Sequence, residues 1–395
     1  MDNNLEYIYL DGSATSPPLD DLANRMKIIQ EGVWGNPSSL HYEGIKAAEI
    51  IESSKYDIAA KFNVLPDQII ITSGATESIQ MIITSASRLY TPGRIVISSV
   101  EHPAVIFAAD YLKNNGWDVL YWPVDKYGVI DITMIDELLA PPTKIVSIIW
   151  GQNEIGTVQP ITQIATACKK KNLFFHTDAT QVISQGCFNF NTLGISSFSA
   201  SAHKFRGPKG VGLLIIDKEY LFMLKNLYDL GNHIPLFNKG TLSPALTYGM
   251  SLALNAITQN LIIDRNKVIF ENTNTSNITK SLLDQLKNYD TLILTGHPLI
   301  RLPNHLSFVV KGKNGIPLSG RQLVRELSKK GICVSTGSAC SSKHKKSSHV
   351  LKALNLPDNL LKSSLRISLG NWLKDIDPQS LGNIIISTIK EVSQH

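Results

Sequence analysis

The sequence contains few cysteines and no long apolar run. Its 395 residues include only four cysteines, and no two of them have the Cys-x-x-Cys spacing that is typical of zinc sites and redox pairs. No apolar stretch approaches the roughly 18 residues that a membrane-spanning helix requires, and the start, MDNNLEYIYL, does not resemble a secretory signal. These features argue against a disulfide framework and a membrane anchor, and they predict a protein of the reducing cytoplasm.

The chain also lacks a strong excess of positive or negative charge, with 38 Lys and Arg residues against 33 Asp and Glu residues. The formal net charge of +5 is small for this length, and the basic residues are dispersed except in the segment SKHKK at 342–346. Such a weak field gives little attraction to nucleic acids or membranes, so we expect direct contact with neither. The phosphate-binding patterns GxxxxGK[ST] and GxGxxG after a first strand are missing as well, which argues against a nucleotide site.

The sequence does contain a regular series of short β-branched runs. Between about residues 65 and 217, seven such runs alternate with segments long enough for helices: 68–74, 94–100, 118–124, 143–150, 173–179, 197–202 and 210–217. Several are apolar throughout, as expected for strands that are covered on both faces. The pattern predicts a large α/β domain with a mostly parallel seven-stranded sheet.

The regular alternation of predicted strands and helices ends in the last third of the chain. We interpret residues 248–288 as a long helical connection. Beyond it, the pattern predicts strands at 291–296, 305–310 and 364–370 and helices near 319–330, 347–354 and 378–392. This is typical of a smaller α+β domain. The predicted large domain spans residues 15–255, and the predicted small domain comprises 1–14 and 256–395.

Polar residues follow the predicted strands at their carboxyl ends, where open α/β sheets bind ligands. Residues 73–76 form a small-residue loop whose backbone N–H groups would suit a phosphate, although an ordinary capped helix start would look the same. The other candidates at this edge are His102, Asn153, Asp178 and Gln181. A single loop histidine is commonly inert, whereas a buried strand-end acid such as Asp178 requires a nearby cation.

One lysine stands out in the stretch FSASAHKFRGPKGVG at 198–212. Lys204 is either a solvated turn lysine or an amine held in a crowded site to form a covalent bond. A phosphate loop, a buried acid and a buried lysine together suggest pyridoxal 5′-phosphate, because the lysine carries the cofactor and the acid keeps the pyridine nitrogen protonated. A lysine in this role must be partly desolvated to react as a neutral amine, since its unperturbed pKa is about 10.4.

Nine stretches, in order and nearly from end to end, resemble the cysteine desulfurases of the NifS/IscS kind, which have the class V aminotransferase fold (pyridoxal phosphate fold type I). The stretches are YLDGSATSP, GNPSSLH, TSGATES, EHPAV, QNEIGTVQPI, FHTDATQ, SASAHKFRGPKGVG, STGSACSS and SSLRISLG. The resemblance implies a pyridoxal-phosphate-dependent homodimer.

The resemblance also implies roles around the cofactor ring. Lys204 would carry the cofactor and act as general acid and base. Asp178 would pair with the pyridine nitrogen, Gln181 would contact the phenolic oxygen, and His102 would stack on the ring.

Further matching residues imply binding sites for the phosphate and the substrate. The phosphate would be held by Ala75, Thr76, Ser201 and His203, joined by the partner subunit's Thr241. Asn153 and Arg366 would hold the substrate carboxylate, a task that suits the two parallel donors of a guanidinium. The alternative for Arg366 is a surface arginine on a strand. No metal is implied.

Cys340 distinguishes a desulfurase from other enzymes of this fold. It lies among Ser, Gly and Ala residues in STGSACSS, and the basic residues at 343–346 would favour its thiolate. The segment could instead be a solvated loop, or a basic loop that meets an acidic acceptor or nucleic acid. Its length resembles that of the long-loop desulfurases.

The implied reaction converts L-cysteine to L-alanine and leaves a persulfide on Cys340, which passes the sulfur to a protein acceptor in iron–sulfur cluster assembly or thiolation. Two alternatives stay open. One is a selenocysteine or cystine lyase of the same fold, in which Cys340 matters less, and the other is a catalytically weak scaffold subunit.

The sequence departs from the family pattern at two places. The segment GNHIPLFNKGTLSP at 231–244 keeps Gly240 and Thr241 but lacks the glutamine, glutamate and arginine that relatives carry there. Gly12 stands where relatives carry a larger residue. The first departure puts the cofactor affinity, the dimer geometry or the substrate range in doubt.

Overall fold

The computed structural model describes residues 7–237, 240–264, 267–312, 314–337 and 347–394. The strands are β1 (Ile8–Tyr9), β2 (Ile69–Thr72), β3 (Arg94–Ser98), β4 (Asp118–Trp122), β5 (Thr143–Ile149), β6 (Phe174–Asp178), β7 (Ser197–Ser201), β8 (Gly212–Ile216), β9 (Ile262–Asp264), β10 (Lys267–Ile269), β11 (Leu292–Leu294), β12 (His305–Val310), β13 (Ile332–Cys333) and β14 (Ser364–Ser368). The helices are α1 (Leu22–Gly32), α2 (Tyr42–Phe62), α3 (Ala75–Ser87), α4 (Pro103–Asn114), α5 (Ile135–Leu138), α6 (Ile161–Lys170), α7 (Phe190–Leu193), α8 (Lys218–Asp229), α9 (Pro244–Asn255), α10 (Asn274–Leu286), α11 (Gly320–Lys329), α12 (His349–Ala353) and α13 (Pro378–Val392).

The large sheet has seven strands in the order β2-β8-β7-β6-β5-β3-β4. The pairs from β7 through β6, β5 and β3 to β4 are parallel, and β8 is antiparallel to both of its neighbours. Each of the seven predicted runs contains one strand of this sheet. The prediction of an α/β fold with a mostly parallel seven-stranded sheet is therefore confirmed.

Apolar layers cover both faces of this sheet, which explains why the strands lack a polar alternation. Along β8, Leu213 and Ile215 belong to one buried cluster, and Leu214 and Ile216 belong to another. Because successive side chains of a strand point to opposite faces, the two clusters lie on opposite sides of the sheet. All five residues of β8 are buried.

The directions of the strands bring their carboxyl ends to one edge. Strands β3, β5, β6 and β7 run parallel, and β2 runs in the same sense because β8 is antiparallel to both β2 and β7. The loops after these five strands therefore meet at the same edge. This arrangement was expected from the alternation of strands and helices, and it positions the site described below.

A second, antiparallel sheet contains β11, β12 and β14, and β1 pairs with β13 in a separate parallel ladder. The apolar residues of the three-stranded sheet pack with those of α10, α11 and α13 in a cluster that also includes Leu10. The chain then turns towards the large sheet through residues 11–16, which we call the first turn. The backbone of Asp11 bridges to Ser368 at the end of β14.

The prediction of one long helix over residues 248–288 is wrong. Helix α9 ends at Asn255, the antiparallel pair β9–β10 follows, and α10 begins only at Asn274. The sequence LIID and KVIF in this region is short and β-branched, a pattern that favours strands. The predicted helices near 319–330, 347–354 and 378–392 correspond to α11, α12 and α13.

Among the described helices, each is too short or too polar to cross a membrane.

Candidate active site

A cavity of about 850 Å³ opens at the carboxyl edge of the large sheet, and we call it the main cavity. The predicted site residues that line it are Ala75, Thr76, His102, Asn153, Asp178, Gln181, Ser201, His203, Lys204 and Arg366. They come from both sheets and from positions nearly 300 residues apart in the chain. The structure thus brings almost the whole predicted set together.

Two predicted residues are not part of this group. Thr241 lines a separate, smaller cavity of about 260 Å³, next to Ser73 and Glu77. Cys340 lies outside the described residues. The described chain ends at Gly337 and resumes at Ser347, and both of these residues line the main cavity.

Lys204 lies in a short 3₁₀ turn directly after β7. Its Nζ donates hydrogen bonds to two carbonyl oxygens of the first turn, that of Ser13 at 2.5 Å and that of Ala14 at 2.7 Å. Its side chain also lines the main cavity. This environment differs from that of a solvated turn lysine, and it holds the amine at the cavity wall.

The loop between β2 and α3 can hold an anion. Helix α3 has 13 residues and begins at Ala75, so its first N–H groups and the positive end of its dipole face the cavity end lined by Ala75 and Thr76. The loop lies close against β8, since a Cβ atom on Gly212 would lie only 2.4 Å from the Gly74 Cα. A side chain at residue 212 would therefore displace the loop.

His203 lies at the same end of the cavity and is neutral near pH 7. Burial lowers the pKa of its imidazole to about 4, and the positive charges of Lys204 and Lys209 act in the same direction. The ring Nδ1 lies 3.1 Å from the Thr15 hydroxyl. Thr15 thereby fixes the orientation of the ring.

His102 and Asp178 also line the main cavity. His102 caps α4, and its Nδ1 accepts a hydrogen bond from the Ala104 N–H at 3.2 Å. Burial lowers the pKa of His102, and the charges of Lys204 and His349 lower it further while Asp178 opposes them. The His102 ring is therefore neutral and carries its proton on Nε2. Asp178 is the last residue of β6 and is 4% exposed. Burying its carboxylate costs free energy, which a nearby positive charge would offset.

Arg366 is buried, so the alternative of a surface arginine is wrong. Its side chain is 2% exposed, and its Nη2 donates to Asp11 Oδ1 at 2.7 Å. Its Nη1 donates to the carbonyl oxygens of Asn153 at 3.0 Å and Gly337 at 3.3 Å. Its Nε has no hydrogen-bond partner among the described residues. The buried guanidinium therefore retains a donor.

The sequence did not point to Glu101, which lies directly before His102. Its carboxyl group is fully buried and accepts hydrogen bonds from the Ser98 hydroxyl at 2.5 Å and the Ile149 N–H at 2.8 Å. Burial raises its pKa to about 8, and the nearby charge of Asp178 acts in the same direction. Burial therefore favours the protonated form of Glu101 near neutral pH.

Two residues at the start of α12 were also missed. Ser348 donates its hydroxyl to Glu154 Oε2 at 2.6 Å, and His349 donates its Nε2 proton to the Glu101 carbonyl at 2.8 Å. These bonds attach α12 to the strand-end loops of the large sheet. The only available signal was position, since Glu101 and Glu154 adjoin the predicted residues His102 and Asn153.

The model of the family named aminotransferase class-V matches residues 8–377 of this chain. The chain therefore belongs to the class-V aminotransferase family. Within this family, the predicted resemblance to desulfurases of the NifS/IscS kind is confirmed by the following relatives.

Curated relatives in two kinds of organism carry the name cysteine desulfurase. The cysteine desulfurase IscS of Dictyoglomus turgidum is 35% identical over 365 residues, which cover 92% of this chain and 89% of the relative. The mitochondrial cysteine desulfurase of Saccharomyces cerevisiae is 32% identical over 370 residues, which cover 92% of this chain and 71% of the relative.

Solved structures of similar fold agree with these names. A NifS-like protein has 28% sequence identity and a TM-score of 0.79, with 98% of each chain covered. A structure described as SspA in complex with cysteine has 26% identity and a TM-score of 0.73, and the match covers 91% of this chain and 98% of that chain.

Members of this family use pyridoxal 5′-phosphate, and the main cavity suits it. The group needs an amine, an anion site and a partner for its pyridine nitrogen. The cavity offers Lys204, the N-terminus of α3 and the carboxylate of Asp178. The residues present therefore fit this cofactor.

Proposed function

We propose that this protein is a pyridoxal-phosphate-dependent cysteine desulfurase that converts L-cysteine to L-alanine and places the released sulfur on Cys340 as a persulfide. The observation that carries the proposal is the common cavity of Lys204, Asp178, the N-terminus of α3 and the buried Arg366. When bound, the cofactor supplies an aromatic ring that accepts electrons from the substrate Cα.

Different residues of the main cavity would hold different parts of the cofactor. Ala75, Thr76, Ser201 and His203 would hold the phosphate, because helix N–H groups and a neutral imidazole are available there as donors. The carboxylate of Asp178 would pair with the pyridine nitrogen, Gln181 would contact the phenolic oxygen, and the ring of His102 would stack on the cofactor. Lys204 would bind its aldehyde group.

The substrate carboxylate lies between Arg366 and Asn153. Arg366 lines the main cavity with a side chain that is 2% exposed, and a desolvated positive charge attracts a carboxylate more strongly than an exposed one. The name of the cysteine-bound neighbour SspA supports L-cysteine as the substrate. Lys204, whose amine lies at the cavity wall, would accept the Cα proton of the substrate.

Cys340 receives the sulfur in this proposal. The Cys340 thiolate would form an S–S bond to the substrate sulfur as the C–S bond breaks. The carbon would keep the electron pair of that bond and take up a proton, which gives the methyl group of alanine. A protein acceptor would later take the sulfur. The positions of Gly337 and Ser347 on the cavity wall support this role, because both described ends of the intervening segment adjoin the site.

A homodimer completes the site with the partner subunit's Thr241. Thr241 lies outside the main cavity of its own chain, and the apolar side chains of Trp34, Leu40 and Tyr42 are exposed by 68%, 94% and 75%. Large exposed apolar groups are typical of subunit contacts. The bacterial relatives named IscS favour the cytoplasm as the location of this protein. We place its reaction in a pathway of iron–sulfur cluster assembly or thiolation.

The proposal is tested on the intact protein after mixing with L-cysteine. We expect a mass increase of one sulfur atom on the peptide that contains Cys340, and loss of alanine and sulfide release in Cys340→Ala. Cys333→Ala is the matched control and should retain both. Full activity of Cys340→Ala on L-cysteine would instead support a selenocysteine or cystine lyase, and the absence of cofactor absorbance in the wild-type protein would support a scaffold subunit.

A further inference from the structure

The first turn contacts the proposed site residues at several points. Asp11 pairs with Arg366, and the Ser13 carbonyl accepts from both Lys204 and Gln181, the latter at 3.0 Å. Its position therefore determines where the cofactor lysine and the substrate arginine lie.

The next two residues of the first turn extend this contact. The Thr15 hydroxyl lies 3.1 Å from the His203 ring, and the Ser16 hydroxyl donates to the His203 carbonyl at 2.8 Å. The same Ser16 oxygen accepts from the Arg206 N–H at 2.7 Å. The backbone on both sides of Lys204 is thus tied to the first turn.

Trp372 lies against the start of this turn, on the side away from the main cavity. A Cβ atom on Gly12 would lie 2.7 Å from the indole Cη2, and one on Gly370 would lie 2.0 Å from its Cζ3. The indole occupies the space that side chains at both glycines would need. This accounts for the small residue at position 12.

Hydrogen bonds connect the indole to the rest of the turn through Tyr9. The Trp372 Nε1 donates to the Tyr9 carbonyl at 3.0 Å. The Tyr9 hydroxyl donates to the carbonyls of Thr15 at 2.9 Å and Asp11 at 3.2 Å. Burial raises the pKa of Tyr9 to about 12, so the phenol keeps the proton that these bonds need.

Trp372 does not line the main cavity. It lines a second cavity of about 380 Å³, which also has Gly12 and Lys204 in its wall. Because the indole packs against Gly12 and donates to Tyr9, we expect it to act on Lys204 through the first turn.

We propose that Trp372, packed against Gly12 and Gly370, is a positioning residue that fixes the first turn so that the Ser13 and Ala14 carbonyls hold the Lys204 amine. The inference rests on the proposed assignment of Lys204 as the cofactor-binding residue. A shift of about 1 Å in a reacting group lowers a rate by up to roughly 10²-fold, so a small displacement of the turn has a measurable effect.

The principal test is Gly12→Ala in the full-length protein. We expect cofactor capture to slow by about tenfold or more, and kcat to fall by a comparable factor. Capture is measured as the growth of the visible absorbance of lysine-bound pyridoxal phosphate. Trp372→Phe, which lacks the indole N–H, should slow capture by about fivefold, as expected for one lost hydrogen bond.

The double variant Gly12→Ala/Trp372→Phe tests the packing itself. Because the smaller ring leaves room for the new methyl group, we expect capture to return to the rate of Trp372→Phe alone. Gly382→Ala is the matched control, since its Cβ would also collide with a flexible side chain, that of Gln285, away from the first turn. It should lower the unfolding temperature without slowing capture.

Wild-type capture rates in both Gly12→Ala and Trp372→Phe would overturn the inference and leave the proposed function intact. A wild-type protein that forms no visible band, or a Lys204→Ala variant that still forms it, would overturn the assignment of Lys204 and the inference with it. If Gly12→Ala does not fold, a wild-type rate in Trp372→Phe alone overturns the inference.

Discussion

At the scale of single residues, the charge state of the site depends on groups that the chain buries. Glu101 has no access to solvent, and the proximity of Asp178 opposes a second negative charge. His102 and His203 are neutral for the same reason, because burial disfavours their charged forms. In the proposed site, the neighbours Glu101, His102 and His203 therefore favour their neutral forms.

Glu101 predicts a pH dependence of stability. Burial raises its pKa from 4.5 to about 8 in the folded protein, so the folded state favours the protonated form. Its contribution to stability is fully present below pH 4.5 and is lost as the pH rises through about 8. Glu101→Gln, which cannot ionise, should gain stability relative to the wild type by a few kcal/mol over this window.

Urea unfolding of both proteins at a series of pH values measures this difference. Asp131→Asn is the control, since Asp131 is exposed and its hydrogen bonds to Thr133 lower its pKa. Parallel stability curves for the wild type and Glu101→Gln would show that Glu101 is not a buried neutral acid.

The sequence predicted the residues to which we assign chemistry but not the residues that contact them. Asp178 and Lys204 were found from their positions after predicted strands, and the role of Arg366 was implied by the family resemblance. Asp11 was not predicted as a partner of Arg366, because the two residues are 355 positions apart and only the folded chain brings them together. The protonation of Glu101 likewise depends on its burial, which cannot be inferred from the local sequence EHP.

At the scale of elements, α12 depends on contacts with the large sheet. It has only five residues, too few to be stable alone. Ser348 caps it by accepting from the Leu351 N–H at 3.1 Å and donating to Glu154. The helix therefore forms because its first residues bond to the loops after β3 and β5.

Ser348→Ala should lower both stability and activity. Loss of an N-cap costs about 1 kcal/mol, and the buried Glu154 oxygen also loses its donor. We expect a smaller free energy of unfolding and a reduced kcat, because α12 lines the main cavity through His349. The measurements are urea unfolding and alanine release from L-cysteine.

Ser243→Ala provides the matched control for this variant. Ser243 caps α9 by accepting from the Leu246 N–H, and it does not line the main cavity. Both variants should lose stability, but only Ser348→Ala should lose activity. Equal kcat values in the two variants would refute a role of the α12 attachment in the reaction.

Strands that alternate with helices were predictable, whereas the region after α9 was not. The runs of the large sheet are long and bounded by turn residues, so each run contained a strand. Strands β9 and β10 are short, and no Gly or Pro lies between them in the sequence. The lack of such breakers led to the prediction of a continuous helix, although the β-branched residues of LIID and KVIF favour strands.

At the scale of the molecule, the two sheets have separate apolar cores. The core of the smaller sheet includes Leu10 and Val392, and two clusters cover the faces of the large sheet. A fourth cluster contains residues of both predicted domains, among them Ile149 and Val309. We propose the domain boundaries that the sequence suggested, with a large domain of residues 15–255 and a small domain of 1–14 and 256–395. The end of α9 at Asn255 supports this division.

The proposed homodimer gives a prediction at this scale. Leu40 is 94% exposed, and a charge introduced there should weaken a subunit contact that covers it. Leu40→Asp should raise the dimer dissociation constant by about tenfold or more, measured by sedimentation. Leu299→Asp, at a residue that is 86% exposed elsewhere, should leave the dimer unchanged. A wild-type dissociation constant in Leu40→Asp would place the interface elsewhere.

The central claim is that Lys204 holds pyridoxal phosphate, and chemical reduction tests it directly. Borohydride treatment of the cofactor-loaded protein makes the bond to the lysine permanent, and peptide mass spectrometry then locates it. The account predicts the cofactor mass on Lys204 and its absence from the neighbouring Lys209. Attachment to another lysine, or to none, would contradict the account.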